Sequence, residues 1–500
     1  MRALKTSTAG ALRPAALDVV TIRLPGIHLA IVAIFFLAQV AWITRGFHGL
    51  SSSEAQMGAI GLRTLDGFGL SDRYLESLSG SHLWPILAAA GYRAGGENGA
   101  RLISLLLILA TFLALYSATR NLFGDRAALW TLAASAVSAP VVITGQQAIM
   151  EPMAIAAMSA GLWAVTKLLS EDHRKWVAVV SVAMVIATLA QYRAGLALVP
   201  ISVVIAVLRG KRSHIDLVVL WSIVALGLIV YFDAFTDQLA KLSLRNMLFN
   251  PYDVTAAFAS TQTKVLLILL WGGAPIIAGV LAWRYAGSQR CLVAALVSGP
   301  LAWTMLLIFL ADFGRSLVFP DIALGLLFVL PAVGMLLATL TRTRQGLAGG
   351  LAVLGILAVA GAIQASTFAQ SWIDYRPVNA ALAEQVESGE LIMANDPWPV
   401  RFALYEAGNI QAVSDVIDEE ILLGSDVIYD FCEFSWIVSE SLIHPWSAFV
   451  GPSVESCGEI EPVFASRVTV RSLDSTLLPQ LSAGTIDVSR NLQPFEAERP

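Results

Sequence analysis

A chain that returns again and again to apolar runs of about twenty residues has few folds open to it. Candidate runs lie at 27–45, 99–117, 126–144, 149–168, 175–191, 194–208, 215–234, 264–283, 289–310, 319–340 and 347–366. Most approach the ~20 residues needed to cross a ~30 Å hydrocarbon core. Only 14% of residues are charged, against roughly 25% in soluble domains, and 56% are hydrophobic. Mean hydropathy is +0.70. The expectation is an all-α polytopic membrane bundle of about eleven spans. The net charge of −5 is small and says nothing useful about nucleic acid, and no nucleic-acid partner is expected. Membrane lipids are the partners such a surface implies.

The charges between the runs orient the chain. Arg2, Lys5, Arg13 and Arg23 precede the first run, which ends in AWITRG without a small-residue cleavage site. An uncleaved first span with residues 1–26 in the cytoplasm is expected. Alternate short loops then carry Arg120 and Arg126; Lys167, Arg174 and Lys175; Arg209, Lys211 and Arg212; Arg284 and Arg290; Arg342 and Arg344. The positive-inside rule places these in the cytoplasm. The loop 46–98, the turns after 144 and 191, and everything from 367 to 500 then lie outside. This suits a bacterial inner membrane with an extracytoplasmic C-terminus. Cys432 and Cys457 would sit where they can oxidise, whereas Cys291 reads as a buried small hydrophobe within its run.

Two regions outside the apolar runs carry structure: the first outer loop, 46–98, of the 27–366 membrane module, and the C-terminal segment that follows the module. The stretch 49–85 holds Glu54, Asp66, Asp72, Glu76 and His82, with apolar residues spaced regularly between them. Short interfacial helices presenting acids to a site are expected, since a connection this long is usually functional or disordered. After Ser366 the pattern predicts a small C-terminal α/β domain. It has helices near 378–387 and 399–407 and strands near 391–394, 410–413 and 426–429, with an extended or loosely ordered end from about Ser472.

Ionisable groups at membrane depth or its edge are the first functional candidates. Three clusters fall on the outer side. Glu54 follows Ser51-Ser52-Ser53, which also reads as a capped helix start. Glu151 precedes Pro152 at the start of a run, after Gln146 and Gln147, and helix capping is an equal reading. Tyr192-Arg193 forms a turn where positive charge is unexpected, and arginine can grip a lipid phosphate bidentately.

The order of these motifs resembles the C-type (GT-C) membrane glycosyltransferases, which include protein O-mannosyltransferases and the aminoarabinose transferases of lipid A. The resemblance covers roughly residues 27–215. It runs through SSSEAQMGAIGLRTLDG, GARL at 99–102, LFGDR at 122–126, QQAIMEPMAIAAMSAGLWAV and ATLAQYRAGLALVP. It implies sugar transfer from a polyprenyl-phosphate donor to a lipid, glycan or protein acceptor on the outer face. Glu54 matches the glutamate of the Asp-Glu pair in the family's first outer loop, Glu151 matches the acid at the outer end of the fourth span, and these two are the catalytic candidates. Arg193 with Tyr192 would meet the donor phosphate, and Ser53, Asp66 and His82 would line the substrate site. The departure is Ser53, where the family has aspartate. Serine is no general base near neutral pH without activation. Either Glu54 takes over the role, a nearby acid such as Asp66 or Asp72 supplies it, or the chain is a noncatalytic lipid-binding or scaffold member. A divalent metal between acids and phosphate is compatible with this chemistry, although the sequence holds no dedicated ligand set. A transporter is the remaining rival, but it calls for mid-span charges and internal repeats. Here the charges lie at the span ends, and no repeat is visible.

Overall fold

The computed structural model describes residues 37, 40, 50–67, 83–229, 272–310, 318–342, 344–370, 375–387, 390, 392–394, 397–408, 416–418, 436–440, 460–472 and 480–491. The first expected span, His82, Asp72, Glu76, Cys432, Cys457 and the expected strands at 410–413 and 426–429 lie outside these residues, apart from positions 37 and 40 of that span.

The chain divides into two compact units. The larger, which includes residues 102–364, is a helical membrane bundle. Helix α1 (Ser52–Leu65) belongs to the other unit, and α2 (Trp84–Phe123) starts at the boundary between them. The bundle continues with α3 (Asp125–Val137), α4 (Ala139–Thr144), α5 (Glu151–Glu171), α6 (Lys175–Ala190), α7 (Leu198–Arg209) and α8 (Ser213–Leu228). A helical stretch at 272–285 follows, then α9 (Arg290–Leu310), α10 (Val318–Leu340) and α11 (Arg344–Gln370). Helix α10 is the core of the bundle: 89% of its apolar window is buried, against 17% in α11. It packs on α3 through Gly334, where a Cβ would stand 2.0 Å from Thr131 Oγ1.

The expected fold class needs correction on two counts. Five helices among the described residues are long and apolar enough to cross a membrane, not about eleven. Helices α6 and α8 are apolar but have 16 residues each, which at 1.5 Å per residue reach only about 24 Å. The expected span 126–144 is two helices, broken at Ser138, with Pro140 in the first turn of α4. The protein is an integral membrane protein with multiple apolar spans.

The second correction concerns the make-up of the C-terminal segment, whose sheet extends beyond the three short strands expected. Helices α12 (Arg376–Gln385) and α13 (Pro397–Glu406) accompany β1 (Ile392–Ala394), β2 (Val416–Asp418), β3 (Trp436–Glu440), β4 (Ile460–Ser472) and β5 (Gln480–Asn491). The sheet has the order β2-β1-β3-β5-β4 and is mixed. Strand β1 pairs parallel with β2 and β3, while β5 pairs antiparallel with β3 and β4. The long β4–β5 hairpin has an irregularity between Pro462 and Phe464, and its second strand falls in the region expected to be extended or loosely ordered. Its pairing partners are supplied by the hairpin itself and by β3, and strand propensity read locally does not capture them. Cys291 is also corrected, since it is exposed rather than buried.

Helix α2 is one 40-residue element with a break. Gly95 and Gly96 leave helical geometry, and Gly96, at φ 61 and ψ −152, takes a conformation that is essentially glycine-only. At the other end of the bundle's charge pattern, Asp172 caps α5 in the left-handed region at φ 50. It is held by Arg209 and by Arg212 at 2.8 Å, and Arg209 also reaches Asp216 at 3.0 Å. The Arg209 hydrogen bond, then its charge, holds the Asp172 carboxyl below the usual aspartate range.

Candidate functional site

The expected site residues fall in both units. Ser53, Glu54 and Asp66 belong to the unit that contains the C-terminal sheet, and Glu151, Tyr192 and Arg193 belong to the bundle.

Glu54 is fixed from two directions. Locally, Ser51 is the N-cap of α1, and its Oγ accepts from the Glu54 N–H at 3.3 Å. The Glu54 Oε2 accepts from the Ser51 N–H at 3.0 Å, completing a capping box. From α2, Arg101 donates through Nε to Oε1 and through Nη2 to Oε2, both at 2.8 Å. Both side chains are enclosed, at 1% and 0% exposure for Arg101 and Glu54. A charge this buried is tolerable only when paired and hydrogen-bonded, and both conditions are met. Glu97 stands 4.0 Å from the same guanidinium, and Tyr92 donates its hydroxyl to the Glu54 carbonyl at 3.4 Å. Ser53, by contrast, is exposed.

Asp66 sits at the C-terminal end of the same helix. It accepts from the Arg93 guanidinium and from the Tyr405 hydroxyl of α13. Nearby, burial and then the negative charge of Glu97 raise the Glu406 carboxyl above the usual glutamate range.

In the bundle, Glu151 opens α5 and is buried, and Gln191 donates to its Oε1 at 3.2 Å. Gln191 ends α6 in extended geometry and leads into a 3-10 turn, Tyr192–Ala197. The structure therefore brings Glu151 to the turn that carries Tyr192, which is buried, and Arg193, which is half-buried. Gln146 and Gln147 are buried beside them in sequence. Trp84, the first residue of α2, anchors the preceding turn by donating its indole N–H to the Ala148 carbonyl at 3.1 Å.

Sequence reasoning passed over Arg101, Tyr92, Tyr405 and the role of Gln191. Arg101 had a usable signal, because it is a basic residue at the outer entry to an apolar run, against the charge rule. Tyr405 had none, because its partner lies 339 positions away. Among the described residues no group of three or more His, Cys, Asp and Glu could hold a metal ion.

A family profile described as dolichyl-phosphate-mannose-protein mannosyltransferase matches residues 84–233, a stretch that contains Arg101, Glu151, Tyr192 and Arg193. The chain resembles the GT-C membrane glycosyltransferases. ArnT from Cupriavidus metallidurans, bound to undecaprenyl phosphate, superposes with a TM-score of 0.54 at 15% identity. That match covers 95% of this chain and 99% of ArnT. The oligosaccharyltransferase of Archaeoglobus fulgidus gives a TM-score of 0.56 at 11% identity, covering 85% of this chain and 71% of that one. The archaeal oligosaccharyltransferase AglB, also from Archaeoglobus fulgidus and in complex with an inhibitory peptide and a dolichol-phosphate, gives a TM-score of 0.55 at 11% identity, covering 85% of this chain and 70% of that one. At these identities the likeness is one of fold. No curated protein sequence matches the chain.

Proposed function

We propose that this protein is a membrane glycosyltransferase that moves a sugar from a polyprenyl-phosphate donor to a lipid, glycan or protein acceptor on the outer face of a bacterial inner membrane. The observation that carries the reading is the coincidence of an ArnT-like fold over 95% of the chain with a mannosyltransferase profile over the segment holding Glu151 and Arg193. The ArnT in that comparison holds undecaprenyl phosphate and the archaeal enzyme a dolichol-phosphate, both polyprenyl-type phosphates.

The two carboxylates divide the work. Glu54, gripped on both oxygens, keeps the first-loop helix and its charge in place. Glu151 takes the proton of the acceptor hydroxyl. The acceptor oxygen then bonds to the anomeric carbon as the bond from that carbon to the phosphate oxygen breaks, and the lipid phosphate leaves with the electron pair. Arg193, with Tyr192, stabilises the charge gathering on that phosphate, which is where a fixed cation in a water-poor site acts most strongly. Ser53, which is exposed, and His82 are assigned to acceptor contact. Asp66, engaged by Arg93 and Tyr405, has a different part.

The test is transfer of labelled sugar from a panel of polyprenyl-phosphate donors in membranes. Glu151→Gln is expected to slow turnover by about 10²–10⁴-fold, the range of a lost general base. Arg193→Ala should lose about 10²–10³-fold. Wild-type rates in both variants would remove these assignments. A second reading, a noncatalytic polyprenyl-lipid binder, draws on Ser53 and on the locked state of Glu54. It predicts lipid binding without transfer across the whole panel.

A further inference from the structure

We propose that helix α13 of the C-terminal segment is a clamp that sets the position of the glutamate-bearing helix α1, with Tyr405 and Phe402 as positioning residues for the transfer reaction. The inference rests on the function proposed above for its kinetic consequence, but its structural content stands separately.

Helix α13 packs along α1, and both belong to the same compact unit. Two contacts made by α13 converge on α1 at different points. At its C-terminal end, the Tyr405 hydroxyl donates to Asp66, whose carboxylate also receives the Arg93 guanidinium. At its middle, the Phe402 ring lies against Tyr92, with centroids 5.3 Å apart and planes tilted by 53°. Helix α1 leaves room for that ring pair through Gly58. A Cβ there would stand 2.6 Å from Phe402 Cε2 and 2.9 Å from Tyr92 Cε2. The Tyr92 hydroxyl in turn reaches the Glu54 carbonyl. Phe402 and Tyr405 are themselves buried, and α13 is seated on α12, β1 and β2. A displacement of the sheet is therefore passed to the helix that carries Glu54 through the Tyr405–Asp66 hydrogen bond and, by way of Tyr92 on α2, through one tilted ring contact and the Tyr92–Glu54 hydrogen bond. Both clamp residues lie outside the 84–233 stretch matched by the family profile. The arrangement assigns the C-terminal segment a part in organising the site, beyond capping it.

The experiment uses the full-length protein in lipid nanodiscs and compares wild type with Tyr405→Phe, Phe402→Ala and Asp66→Asn. Amide hydrogen exchange of peptides covering 52–65 is read beside transfer turnover and donor KM. Tyr405→Phe removes a single oxygen and leaves the packing, so it guards against a variant that fails to fold. All three variants are expected to speed exchange in α1. Turnover should fall by about 10- to 100-fold, as for a slightly misplaced group, with donor KM within about twofold, since removing an interaction felt only at the transition state leaves KM unmoved. Unchanged exchange in Tyr405→Phe and Phe402→Ala would overturn the clamp. Faster exchange with wild-type turnover would overturn the positioning role. If wild type itself transfers nothing across the donor panel, the proposed function fails. The exchange comparison then decides the clamp alone, with faster exchange supporting it and unchanged exchange sinking it.

Discussion

The two buried glutamates make an instructive pair. Glu54 meets a formal charge, a bidentate guanidinium from α2, and a local capping box besides. Glu151 meets the amide of Gln191 at a place where one helix starts and another stops. Both lie at helix N-termini, where an acid is favoured by the helix dipole. They differ in what removal of a neighbour leaves behind. Taking away a guanidinium strands a buried charge. Taking away an amide removes one hydrogen bond. The first arrangement suits a fixed point of the fold, and the second suits a group that must change its proton during a reaction.

The largest expected effect tests this directly. Arg101→Ala should destabilise the protein by about 3–5 kcal/mol, the usual cost of breaking a buried ion pair by one partner. Gln191→Ala should cost about 1–3 kcal/mol and act mainly on turnover. Equal losses of thermal midpoint in the two variants would erase the distinction. Gly61→Ala comes next. A Cβ there would stand 1.9 Å from the Pro85 carbonyl oxygen, so α1 and α2 must move apart. The expected loss is about 1–3 kcal/mol, as for overpacked cores, and unfolding in detergent would measure it. Ser51→Ala removes half of the capping box and should cost about 1 kcal/mol. A neutral result there would mean that Arg101 alone fixes Glu54.

The smallest effect concerns the exposed Asp172 cluster. Its carboxyl is held below the usual range by Arg209 and Arg212. Stability from these pairs is thus present above the ordinary aspartate pKa of about 3.9 and lost as pH falls through the depressed value. Asn tolerates the left-handed backbone, so Asp172→Asn removes the charge with little strain. The melting difference between wild type and variant should be small at neutral pH, shrink with added salt, and close as the solution is acidified. A difference that persists in acid would assign it to packing instead of charge.

How far the sequence speaks depends on the distance between partners. The Ser51–Glu54 cap is written within four residues, and it is visible as a serine run followed by an acid. The start of α5 at Glu151-Pro152 is equally local. The Glu54–Arg101 pair spans 47 positions, so only the unexpected charge of Arg101 hints at it. The β4–β5 hairpin and the reach of Tyr405 to Asp66 depend on long-range pairing, and no local pattern carries them. Helix lengths are intermediate. Apolar runs mark where helices lie, but the break at Ser138 and the shortness of α6 and α8 belong to packing and caps.

The glycine pair at 95 and 96 has a mechanical consequence. Before the break, α2 meets α1 through Pro85, Tyr92 and Arg93, and after it through Arg101. Helix α1 therefore lies across the interruption like a splint across a joint, fastened on both sides. Within the unit that holds α1 and residues 85–101, the backbone that glycine alone would leave loose is braced by a separate, capped helix, and loosening either fastening should free the interruption.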